Sequence, residues 1–203
     1  EAEWYLLSFS YKWLGEKKIT TRALPDYLGY KKNMEDDRAL CKDLYKLFDQ
    51  ADIVVAHNIK FDRGKSNARF ACHGFKPYSP IKEVDTLAIA RRQFKFTSNR
   101  LDALAQFLKI GRKLPHQGVH TWRGCMLGKR SAWRTMRKYN AHDVRLLEGV
   151  YLKLRPWSPG HPNLSLYTRN PIACPTCEST RTESHGWRYY STGKKHRRRC
   201  KDC

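Results

Sequence analysis

The sequence predicts an α/β layered domain followed by a small metal-stapled appendage. Three observations lead there. Short apolar runs rich in β-branched and aromatic residues alternate with stretches whose leucines recur at helical spacing. Residues 155–171 then carry four prolines and no sustained periodicity, the composition of a linker. Beyond them lie two Cys-x-x-Cys pairs in a segment too short to build a hydrophobic core of its own. At 203 residues the chain has room for one well-packed core and such an appendage. The expected boundaries are 1–154 for the α/β domain, 155–171 for the linker and 172–203 for the appendage.

Residues 4–13, WYLLSFSYKW, suit a strand, and a polar connection through Pro25 and Gly29 follows. From Glu35 to Gln50, Leu40, Leu44, Leu47 and Phe48 recur at the spacing of one helix face. The β-branched run Ile53 to Ala56 reads as a buried strand. A second helix is expected over Gly64 to Cys72, ending at Gly74. IKEVDT is a short extended piece before a helix near Leu87 to Gln93. SNRLDALAQFLKIG offers Ser98 or Asn99 as N-cap, a face of Leu101, Leu104, Ala105 and Leu108, and Gly111 as the stop. Tyr139 to Leu154 is helical in pattern until Pro156. There is no internal repeat and no low-complexity tract.

Lysine and arginine outnumber aspartate and glutamate by 40 to 19, a formal net charge of +21. Such a chain attracts a polyanion, and nucleic acid comes first because phosphate neutralisation releases counterions. No apolar run is long enough to span a bilayer, and the start shows no signal-peptide pattern, so a membrane is not an expected partner. The expectation is a soluble chain in a reducing intracellular compartment, the cytoplasm, a host cytoplasm or the nucleoid. Seven cysteines, four of them in Cys-x-x-Cys pairs, favour a metal site there over a disulfide framework. The chain opens at Glu1 directly into strand pattern and closes on Cys203, inside a motif; it looks cut at both ends.

Two stretches carry chemistry. The strand at Ile53 ends in His57-Asn58 and reaches Asp62 four residues after that asparagine. In the plain reading, His57 and Asn58 satisfy backbone groups at a strand end and Asp62 caps the next helix. In the functional reading, the strand delivers Asp62 to a cleft at the sheet's C-terminal edge, with His57, Asn58 and Phe61 as substrate contacts. The second stretch is YNAHDV at 139–144. Tyr139 and Asp143 stand four apart, on one helix face, where a phenol and a carboxylate can divide the tasks of orienting a water and holding a metal. Tyr45 and Asp49 share that spacing on a helix read as purely structural. The weight therefore comes from order: strand-HN-FD, then IKEVDT, then SNRLDALAQFLKIG, then YNAHDV.

Over residues 4–154 this order resembles the DnaQ-like (DEDD) 3′–5′ exonucleases of the RNase H-like superfamily. AHNIKFD is similar to the second motif of that family and YNAHDV to the third, and VDTLAIAR and SNRLDALAQFLKI share its look. The resemblance implies an RNase H-like exonuclease domain with Asp62 and Asp143 as metal ligands and Tyr139 orienting the attacking water. The histidine subtype places that last group five residues before the aspartate, where this chain has Lys138, so the resemblance is to the tyrosine subtype, with His142 a neighbour. Asp85 and Asp102 are expected to cap helices or meet solvent. The first motif, a strand ending in Asp-x-Glu, belongs ahead of residues 4–13 and is not found; Glu1-Ala-Glu3 has similar spacing without a strand to present it, and is read as coincidence. The implied reaction is two-metal phosphodiester hydrolysis with Mg²⁺ or Mn²⁺, releasing nucleoside 5′-monophosphates. The implied substrate is single-stranded nucleic acid, DNA in preference to RNA, and no polymerase, replication or repair partner is specified. Asp62 and Asp143 alone should hold at most one ion, so the 203-residue chain is expected to be inactive or nearly so.

The appendage is a sharper signal. Cys174 and Cys177 form CPTC, Cys200 and Cys203 form CKDC, and a hairpin-like stretch, GWRYYSTGKKHRRR, joins them. Four thiolates in two such turns suit a tetrahedral structural Zn²⁺ site, a zinc ribbon, although the gap between pairs exceeds the common range slightly. His185 and His196 are expected at the surface. Arg197, Arg198 and Arg199, with Lys194, Lys195, Lys201 and the nearby Trp187, Tyr189 and Tyr190, offer cations for phosphates and rings for bases; the plainer reading is a solvated charge run. This segment resembles the zinc ribbons of transposition and transcription proteins. Cys41, Cys72 and Cys125 are expected to be ordinary core or near-surface residues. Gly111 to Arg134, with Trp122 and Trp133, is left as a lid or channel without specification.

Two functions from different classes follow. One is a metal-dependent exonuclease with a zinc-ribbon tether. The other is a non-catalytic nucleic-acid-binding protein on the same fold. Asp62, Tyr139 and Asp143 together favour the first, because a carboxylate cleft facing phosphates gives a binder no advantage.

Overall fold

The computed structural model of the chain describes residues 4–115, 118–168, 170 and 172–203. Glu1-Ala-Glu3 lies outside them. The described chain divides into two compact units, Glu1–Lys153 and Leu154–Cys203.

The first unit alternates strands and helices. Strand β1 (Ser8–Tyr11) pairs antiparallel with β2 (Thr20–Ala23). It is shorter than the expected run from 4 to 13. Ahead of it, Leu6 N–H donates to the Asp37 carboxylate at 2.7 Å and Leu7 C=O accepts from Leu24 N–H at 3.0 Å. Helix α1 (Arg38–Gln50) buries Leu40, Cys41 and Phe48. Strand β3 (Ile53–Ala56) runs parallel to β4 (Lys82–Asp85), in the register Ile53 opposite Lys82 through Ala56 opposite Asp85.

Three helix starts differ from expectation. Helix α2 spans Ile59–Cys72, five residues earlier than Gly64. Asn58, at φ 72° and ψ 50°, turns the chain from β3 straight into it, a left-handed conformation that asparagine tolerates. Asp62 therefore sits in the helix's first turn, where its negative charge favours the dipole, and does not cap it. Helix α4 (Leu101–Phe107) has Arg100 at its N-cap, without a side-chain cap bond, and the left-handed residue after it is Lys109 at φ 56° instead of Gly111. Helix α6 spans Arg130–Leu154, nine residues earlier than Tyr139, and its added turns bury Trp133 and Met136. Between them lie α3 (Thr86–Gln93) and α5 (Val119–Met126).

Apolar clusters among the described residues help to hold this unit. Ala23, Leu24, Leu40, Cys125, Trp133 and Met136 form one, and Cys41, Phe48 and Phe70 form another, with Leu6 packed against both. Among the described residues no helix is long and apolar enough to cross a membrane.

The second unit carries a one-turn 3₁₀ helix over Arg155–Trp157, a short helix α7 (Ser165–Thr168), and a hairpin of β5 (Thr182–Tyr190) and β6 (Gly193–Cys200). The register shifts between Ser184 and Trp187, and Gly186 at φ 73° supplies the positive φ that such a bulge needs.

Candidate functional site

At the end of β3, His57 is held on both sides: Nδ1 lies 2.9 Å from Thr86 Oγ1 and Nε2 lies 2.9 Å from the Asn99 carbonyl. Burial pushes its imidazole below the ordinary histidine value. The ring ties β3 to the start of α3 and to the segment ahead of α4, so both its nitrogens are committed within the protein. Asp85 caps α3 through Leu87 N–H at 2.9 Å and also accepts from Asn58 N–H at 2.9 Å, which fixes the turn between β3 and α2. Asp62 projects from that first turn toward the cleft. Asp62 is itself exposed, but desolvation by the protein around it pushes its carboxyl above the ordinary carboxylate range, and the neighbouring charge of Asp85 adds to the shift.

The opposite wall is α6. Tyr139 and Asp143 stand one turn apart, as their spacing requires, and one cation joins them: Lys113 Nζ donates to Tyr139 Oη at 2.8 Å and to Asp143 Oδ2 at 2.7 Å. Burial opposes the charge on Lys113, but its bonds to Asp143 and Tyr139 hold the ammonium above the ordinary lysine value. The strap carrying Lys113 is itself fixed. Its backbone N–H donates to Asp102 Oδ1 at 2.6 Å, and Arg112 C=O lies 2.8 Å from His142 Nε2. Gly149 lets the strap approach, since a Cβ there would come within 2.6 Å of Ile110 Cγ2. Sequence reasoning missed Lys113. Its partners lie 26 and 30 residues away, and nothing in GRKLP marks it among the chain's other lysines.

Between these walls lies a cleft of about 860 Å³. Asp62 and Asp143 both line it, as does Phe61, which is 60% exposed. Lys12 and Glu148, which form an ion pair, line it too. Every residue from Trp4 to Leu14 and from Ile53 to His57 also contributes. Consecutive strand residues can line one cleft only through the strand's backbone edge, because side chains alternate faces. Among the described residues β1 pairs only with β2 and β3 only with β4, so each presents an unpaired edge.

A divalent cation fits part of this site. Asp143 Oδ1 is buried without a hydrogen-bond partner among the described residues, a costly state that a cation would relieve. Carboxylate oxygens suit Mg²⁺ or Mn²⁺. Asp62 and Asp143 both line the cleft, and with an ammonium already on Asp143 they are too few to hold two ions.

The second unit brings its four cysteines together. Their sulfurs lie within 4.8 Å of one another, with Cys174 to Cys203 at 3.5 Å and Cys177 to Cys200 at 3.6 Å. A tetrahedral Zn²⁺ with bonds of about 2.3 Å sets its sulfurs about 3.8 Å apart, so the cluster fits that ion. Burial opposes thiolate formation at Cys200, but the Asp202 N–H and the Cys177 side chain draw its thiol down to about 7. His185 and His196 are exposed, outside the cluster. Arg197, Arg198 and Arg199 lie on β6, exposed on a ribbon that leads from it.

Outside these sites, Asp37, Cys41 and His73 also cluster, but Arg69 fills that group with two bonds to Asp37, at 2.6 and 2.8 Å. Burial and the Asp37 charge hold the Cys41 thiol up at about 12. This is a charge network without a ligand position. Cys125 is buried and Cys72 exposed.

Compared with known proteins, the chain matches no curated protein and no solved structure. The RNase_H_2 family model, described as RNase_H superfamily, matches residues 5–155. That match takes in β1 through α6 with Asp62, Tyr139 and Asp143, and with it the chain belongs to the RNase_H superfamily, whose fold points to nuclease and nucleic-acid chemistry.

Proposed function

We propose that the cleft is the active site of a metal-dependent 3′–5′ exonuclease of the DnaQ-like (DEDD) tyrosine subtype acting on single-stranded nucleic acid, DNA in preference to RNA. One observation carries it: Asp62 and Asp143, from two elements, line one cleft, and a buried oxygen of Asp143 lacks a partner. Asp62 and Asp143 would hold the divalent ion. When bound, that ion supplies a Lewis acid for the scissile phosphate and lowers the pKa of the attacking water. Tyr139, one turn from Asp143, orients the water through its hydroxyl. Phe61, exposed beside Asp62, gives the terminal nucleotide a ring to lie against. His57 and Asn58 act by positioning, since their bonds fix the turn that presents Asp62. Residues 1–154 form the catalytic domain in this reading, 155–171 the linker, and 172–203 a Zn²⁺ ribbon whose Arg197, Arg198 and Arg199 hold the nucleic acid whose end enters the cleft.

The unpaired edges of β1 and β3 support a further carboxylate source: a strand seated between them would end beside Asp62 and Asp143. The test uses a 5′-labelled single strand with Mg²⁺ or Mn²⁺. The 203-residue chain should shorten it barely or not at all. Fusing an apolar strand ending in Asp-x-Glu ahead of Trp4 should produce a ladder receding from the 3′ end, abolished by Asp143→Asn. Rapid Mg²⁺-dependent digestion by the unfused chain, or no ladder from the fusion, contradicts the reading. The non-catalytic alternative draws on one observation, the Lys113 ammonium that already neutralises Asp143; it predicts that the fusion binds strands without cutting them.

A further inference from the structure

Cross-strand pairing divides the β5–β6 hairpin into two faces, because directly opposed residues share one. Ser184 opposite Arg198, Trp187 opposite His196 and Tyr189 opposite Lys194 lie on the first. Glu183 opposite Arg199, Arg188 opposite Lys195 and Tyr190 opposite Gly193 lie on the second, with Arg197 by alternation. Both faces are exposed along both strands, and both are cationic. The hairpin's one acid, Glu183, is already paired with Lys201 at 3.0 Å.

The rings are engaged by these cations. Lys194 Nζ stands 4.8 Å from the centre of the Trp187 ring, and the His196 ring packs against the same indole at 5.1 Å. Tyr190 carries Arg188 at 5.3 Å and Lys195 at 5.9 Å. Trp187 and Tyr190 therefore act as props that hold charged side chains out from the ribbon. Of the three aromatics Tyr189, 74% exposed, is the most open to a stacked base.

From this geometry we propose that the hairpin is a two-faced ribbon that enters the major groove of duplex DNA, its opposite faces meeting the two phosphate walls. A platform for single strands needs free rings on one side; a ribbon in a groove needs cations on both. The B-form major groove, about 12 Å wide, admits a two-stranded ribbon. Nine residues of β5 extend about 30 Å, close to one turn of the duplex. The major groove of A-form RNA is too deep and narrow for the same fit. The inference borrows from the proposed function only the identity of the polyanion. It places a duplex grip on a protein whose cleft takes a single-stranded end.

The experiment uses the full chain, zinc-loaded, without any added divalent ion that supports cleavage. Binding is read by fluorescence anisotropy on a blunt 20-base-pair DNA duplex, one of its strands alone, and the matching RNA duplex, across a salt series. Zinc content of each variant confirms the fold. DNA duplex should bind at least tenfold tighter than single strand or RNA duplex. Arg197→Gln with Arg199→Gln on one face should lower the log–log salt slope by about two, and Lys194→Gln on the other by about one. The proposal is overturned if single strand or RNA duplex binds as tightly as DNA duplex, or if the variants on either face leave duplex binding unchanged. Because no cutting is measured, loss of nuclease activity at the cleft and loss of duplex binding at the ribbon are separate results.

Discussion

Asp37 is fully buried and its carboxylate reaches other segments: it accepts from Leu6 N–H and twice from Arg69, and lies 2.6 Å from His73 Nε2. Burial opposes its charge, yet Arg69, Leu6 and His73 together hold the carboxyl below the ordinary range. Its contribution to stability is then present in full above the unfolded carboxylate pKa of about 3.9 and lost as pH falls through the lower folded value. Urea midpoints measured from pH 7 to pH 2 should fall at the acid end in the parent and lose that component in Asp37→Ala. At neutral pH the same variant should be less stable by about 3–5 kcal/mol, because Arg69 stays behind unpaired. Lys113 acts in the opposite sense, since its ammonium competes with any cation for Asp143. Lys113→Ala should bind Mn²⁺ several-fold more tightly than the parent, as read by calorimetry. None of these partners was legible in the sequence, because each pair is separated by about 30 residues and depends on how helices pack.

The elements that sequence read best are those whose pattern is unbroken. Leu40, Leu44 and Phe48 announce α1, and the β-branched run announces β3. The start of α2 was hidden because Lys60, Asp62 and Arg63 interrupt its apolar face and Gly64 lies inside it, a residue that costs about 1 kcal/mol in a helix and so reads as a boundary. The first turns of α6 were hidden by the basic residues around Trp133 and Met136. Even so, Asp62, Tyr139 and Asp143 could be named as candidates, because their spacing survives errors in where a helix begins. Gly149 carries a prediction at this scale. Gly149→Ala would press its new Cβ onto Ile110, displace the strap and loosen Lys113 from Asp143. Chemical denaturation should show a loss of about 1–3 kcal/mol.

For the whole molecule, the two units depend on different forces. The first rests on apolar packing, whereas the second holds an exposed hairpin and four converging sulfurs. Stripping zinc should therefore erase the hairpin's protection from proteolysis while leaving the near-ultraviolet signal of buried Trp133 unchanged. The Cys-x-x-Cys pairs made the convergence of those sulfurs plain from sequence. The cleft between two unpaired strand edges was not, since an edge becomes visible only when strands are placed in space.

The nuclease proposed for this cleft requires Asp62 and Asp143 to share one cation. Calorimetric titration of the 203-residue chain with Mn²⁺ measures whether they do. One weak site, lost in Asp143→Asn and in Asp62→Asn, is the predicted result; no binding, or binding untouched by either substitution, would contradict it.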